Sequence, residues 1–72
     1  MLENLEKARE IKKVSLVDIA DLIHVRYQTV AAKINGDSDF KFGEAVKIQE
    51  RFFPEYDVKF LFDQHYEELQ PA

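Results

Sequence analysis

Residues 15–36 read SLVDIADLIHVRYQTVAAKING, and this stretch leaves the chain few choices of fold. The apolar side chains Ile19, Ala20, Leu22 and Ile23 recur at helical intervals and stop at His24-Val25-Arg26. A second helical period carries Val30 and Ile34 inward and closes on Gly36, a residue free to adopt the positive φ at which helices end. Ser15 stands as an N-cap, with Asp18 three residues on in the capping-box position. The spacing therefore predicts one helix over 16–23 and another over 27–35, joined by a tight turn at His24. Two short helices so joined cross at a steep angle, and close approach needs a small residue at the crossing. Ala20 supplies it, and Ile19, Ile23, Val25, Val30 and Ile34 are spaced to pin the pair together.

The flanks read as helices too. Residues 2–13 place Leu2, Leu5, Ala8 and Ile11 on a broadly shared face. Residues 43–53 carry Ala45, Val46, Ile48, Phe52 and Phe53 inward, and Pro54 stops them. Asp57 caps a fifth helix, 58–69, with Val58, Leu61, Phe62 and Leu69 on or near one face. Alternation in DFKF (39–42) is too brief for a strand, and the final QPA is expected to fray. The expectation is all-α: five helices forming one small domain over residues 1–72.

Composition narrows the function classes. With no cysteine, disulfides and Cys-based zinc sites are excluded, and a reducing cytoplasm fits best. No apolar run approaches the roughly 18 residues of a membrane span, and the charged opening MLENLEKARE does not read as a signal peptide. Net charge is −4, and residues 57–72 are the acidic part, with one base against four acids. DNA binders usually show a basic patch, and none is strong here. No nucleophile–base pair or glycine-rich phosphate loop gives catalysis a foothold, so no enzyme activity, small-molecule substrate or cofactor is expected. His24 and His65 lack a third ligand pattern for a metal. Asp37-x-Asp39 opens like a calcium loop, but Lys41, Phe42 and Ile48 fall where that loop needs other residues, so it reads as a turn.

The crossing Ala20, the Val25 after the turn, and Val30 with Ile34 together form a helix-turn-helix pattern. On these residues the chain resembles the Cro/C1-type (XRE-like) helix-turn-helix family over about residues 2–63. The later NGDSDFKFGEAVKIQERFFPEY looks like small Cro-like regulators of temperate phages of Gram-positive bacteria, and within them like the short modulator-of-repression (antirepressor) proteins. The resemblance implies a five-helix lambda-repressor-like domain working in the bacterial host's cytoplasm. It also implies action in the lysis–lysogeny decision by binding the phage's own repressor.

The chain departs from that family where DNA would be read. Leu16 replaces the common Gln at the start of the first motif helix, and His24 replaces the usual turn Gly. The outer face of the second helix holds Arg26, Tyr27, Gln28, Ala31, Ala32 and Asn35. Arg26, Gln28 and Asn35 suit base edges, with Gln28 the best single candidate, whereas the two alanines offer only methyls. Asp18 and Asp21 repel phosphates. Lys33 reads as a solvated charge, and Tyr27 reads equally as packed on the turn or as an anchor for a partner.

Two readings follow. In the first, the protein binds its cognate repressor and masks that repressor's DNA-binding face. Leu16, Val17, Tyr27, Ala31 and Ala32 would give apolar contact, Asp18 and Asp21 would meet basic residues, and Arg26, Gln28 and Asn35 would bond at the rim. In the second, a Cro-like dimer sits on operator DNA itself, alone or jointly with the repressor. The aromatics Phe52, Phe53, Tyr56, Phe60, Phe62 and Tyr66 are core by default, with a surplus ring or two left for self-association.

Overall fold

The computed structural model describes residues 1–62, and these are all-helical, with no strand among them. The helices are α1 (Glu3–Lys12), α2 (Leu16–Ile23), α3 (Tyr27–Asn35), α4 (Phe42–Phe52) and α5 (Val58–Phe62). The expected continuation of α5 to residue 69, with Leu69, Tyr66 and His65, lies outside the described residues.

Packing follows the apolar periods. α2 lies against α3 and α4, and α5 lies against α1 and α4. Leu5, Ile19, Val30, Ile48, Phe53 and Leu61, drawn from all five helices and the end of α4, are fully buried at the centre. Ala20 is buried with them, on the core side of α2. The N-terminus is tied in by the Leu2 N–H, which donates to the Ile34 carbonyl at 2.8 Å.

Three helices end in the same way. The residues after α1, α2 and α3 (Lys13, His24 and Gly36) all have left-handed backbones, with φ of 58°, 61° and 98°. In each, the next N–H reaches back five residues: Val14 to Arg9, Val25 to Ala20, Asp37 to Ala32, at 2.9–3.0 Å. This closure satisfies carbonyls that the helix end would otherwise leave free. Only one of the three positions is glycine, so only Gly36 announced its cap in the sequence. α4 stops differently: Pro54 restricts Phe53, whose backbone turns away at φ −132° and ψ 50°.

Several expectations need correction. Ile11 is 70 % exposed, not inward. Positions spaced by three drift about 60° per step round a helix of 3.6 residues per turn, so Ile11 ends about half a turn from Leu2. Lys33 is buried rather than solvated. Its ammonium donates to the Asp39 carbonyl at 3.0 Å and to Glu44 Oε1 at 3.1 Å, and it lies 5.6 Å from the Phe40 ring centroid. Among the aromatics, Phe53 is core, Phe52, Tyr56 and Phe62 are half-buried, and Phe60 is exposed, stacked on Tyr56.

Candidate interaction face

α2 begins with its expected box. The Asp18 N–H donates to Ser15 Oγ, and the Ser15 N–H donates to Asp18 Oδ2, both at 3.0 Å. This pair fixes where α2 starts and which way it turns. With Ile19, Ala20 and Ile23 facing the core, Val17, Asp18 and Asp21 are exposed on the opposite side. Leu16 behaves otherwise: it is half-buried and packs against the core, on the same side as Ala20 and Ile23.

α3 is set by the burial of Val30, Lys33 and Ile34. At about 100° per residue, Tyr27, Ala31, Asn35, Gln28 and Ala32 then share an arc of about 140° on its other side. Tyr27, Gln28 and Asn35 are exposed, and Ala31 and Ala32 are half-buried between them. Tyr27 is 51 % exposed, so the turn does not absorb its ring. Arg26 sits just outside the helix, extended and exposed, and its carbonyl accepts from Thr29 and Val30.

Eight of the ten sequence-expected residues thus lie on the outer sides of α2 and α3, Arg26 lies beside them at the turn, and Leu16 stands at the core edge. On the outer sides two acids, Asp18 and Asp21, meet one base, Arg26. The Asp18 carboxylate is already engaged by Ser15, whereas that of Asp21 has no ion-pair partner among the described residues.

Two positions at the turn break local rules. His24 holds a left-handed backbone that favours glycine. Arg26 occupies a cap position where an acceptor such as Ser or Asp is preferred, and it puts positive charge at the positive end of the α3 dipole.

Sequence reasoning missed two features. One is Phe42, the first residue of α4, which is 79 % exposed. The other is the seam holding the α3–α4 loop, because Lys33 and Glu44 stand on different helices, α3 and α4, so no spacing within one helix links them. No group of three or more potential metal-binding side chains occurs among the described residues, and no helix there is long and apolar enough to cross a membrane. Comparison with protein-family models, curated proteins and solved structures gives no match.

Proposed function

We propose that this chain is a helix-turn-helix regulator of a phage genetic switch that acts as an antirepressor. In this reading α2 and α3 are the two helices of a lambda-repressor-like motif, and their outer sides seat on the basic DNA-reading face of a cognate repressor. The observation that carries it is the chemistry of those sides. Val17, Tyr27, Ala31 and Ala32 offer apolar surface, and acids outnumber bases. A polyanion is repelled by such a surface, while a basic polypeptide is attracted to it, and attraction speeds encounter and selects the partner. No catalytic step is involved, and the setting is the bacterial cytoplasm.

A second reading has an observation of its own. Arg26, Gln28 and Asn35 are exposed on or beside α3, and these side chains suit guanine and adenine edges. A Cro-like dimer reading operator DNA would use them. An operator mobility-shift assay separates the two. The antirepressor reading expects the protein alone to leave operator DNA unshifted at physiological salt, and to strip a preformed repressor–operator complex when added in excess. Persistence of that complex in excess protein sinks the masking mechanism.

A further inference from the structure

The segment 36–41 leaves α3 directly after Asn35, the last outward residue of the candidate face. It is held at three points. The Asp37 N–H donates to the Ala32 carbonyl at 2.9 Å, the Lys33 ammonium to the Asp39 carbonyl at 3.0 Å, and the Lys41 N–H to Glu44 Oε1 at 3.0 Å. These bonds use the backbone of Asp37 and Asp39. Their carboxylates are exposed and pair with no cation among the described residues.

The aromatics of this region divide. Phe40 turns inward, edge-on to Phe62 with ring centroids 5.1 Å apart. Phe42 turns outward and is the most exposed large apolar side chain among the described residues. A Cβ added to the adjacent Gly43 meets nothing within 4 Å, so the surface beside the ring is open. A single exposed apolar residue is ordinary on a protein surface. This one differs in setting: a pre-ordered loop presents it with two unpaired carboxylates nearby, continuing the sign of Asp18 and Asp21.

We infer that the α3–α4 loop is the second half of the docking surface. Phe42 fills an apolar socket on the partner, and Asp37 and Asp39 meet cations at the socket's rim. The occupant is the basic DNA-reading domain of the repressor, so the inference rests on the function proposed above. Charge complementarity carries the choice, since Lys41 is the one base of the loop against its two acids. Lys33, by fixing the Asp39 carbonyl, orders the loop before the partner arrives, which lowers the ordering cost of binding.

The test measures affinity and association rate for the isolated DNA-binding domain of the cognate repressor that the proposed function requires. The proteins compared are the natural chain, Phe42→Ala, the double variant Asp37→Asn/Asp39→Asn, and Asp21→Lys. Phe42→Ala is expected to weaken binding about tenfold or more with an unchanged melting transition. The double variant is expected to associate more slowly and to show a flatter salt dependence. If Phe42→Ala and the double variant bind like the natural chain while Asp21→Lys is impaired, the loop inference is overturned and the antirepressor reading stands. If the natural chain itself forms no complex, the antirepressor reading falls and takes the loop with it.

Discussion

Lys33 and Glu44 are joined by a hydrogen bond of 3.1 Å, with both side chains largely withdrawn from solvent. This ion pair locks the inner side of α3 to the start of α4. Removing one partner of a buried pair strands the other charge, so Lys33→Met is expected to cost about 2 kcal/mol of stability. Burial pushes the Glu44 carboxyl up, but the Lys41 N–H and the Lys33 ammonium outweigh it and hold the group below its ordinary 4.5. A depressed carboxylate contributes stability above its unfolded value that is lost as pH falls through the folded one. Denaturant midpoints should therefore drop as the solution is acidified below about pH 4.5, and less steeply in Glu44→Gln. Parallel pH profiles for the two proteins would refute the assignment.

The left-handed caps make a second prediction, of opposite sign. A side chain in that conformation costs roughly 1–2 kcal/mol, and glycine returns about half of the relief through its freer unfolded state. Lys13→Gly should thus stabilise the fold by about 0.5–1 kcal/mol in urea titration. His24→Gly should do the same if its side chain makes no compensating contact. A destabilised Lys13→Gly would show that the lysine side chain contributes more than its backbone strain removes.

These caps also mark how far the sequence could be read. The core was legible because burial imposes periodicity: Ile19, Ala20, Ile23, Val30, Ile34, Ala45, Ile48 and Leu61 all fall where helical spacing puts them. Ser15 and Asp18 were legible because a capping box is a local device with a fixed offset. Lys13 was not, since nothing in an exposed lysine marks a left-handed backbone, and the Val14 N–H to Arg9 carbonyl bond that closes its turn has no side-chain signature. Lys33 was misread for a related reason: the groups that satisfy it, the Asp39 carbonyl and Glu44, come together only after the α3–α4 loop has folded back. The outward side of α3 followed directly from its inward side. Leu16 did not fit, because the first residue of α2 turns toward the core.

The Ser15–Asp18 box yields a third prediction. Ser15→Ala removes the acceptor for the Asp18 N–H and should cost about 1 kcal/mol. The loss should appear as a lower melting temperature, without any change in net charge. Substituting Asp18 mixes two effects, since its carboxylate also accepts the Ser15 N–H at 3.0 Å. A Ser15→Ala protein as stable as the natural one would mean that solvent replaces the box at no cost.

Asp21 is the cleaner probe of the face. It is exposed, sits one turn beyond Val17 on the outer side of α2, and has no ion-pair partner among the described residues. Asp21→Lys should leave the melting transition within about 0.5 kcal/mol of the natural protein. If α2 meets a basic repressor surface, this reversal puts like charges together and should weaken capture about tenfold or more, with the deficit shrinking as salt is raised. Gln28→Ala provides the opposing control. Under operator reading it removes a base contact of about 1–3 kcal/mol and should abolish sequence preference at one position, whereas under repressor masking it touches only the rim. Titrating both variants against labelled repressor domain and against labelled operator gives four binding curves. Loss confined to Asp21→Lys with repressor supports masking. Loss confined to Gln28→Ala with DNA would instead make the chain a reader of nucleic acid, with its acids serving only to keep α2 off the phosphates.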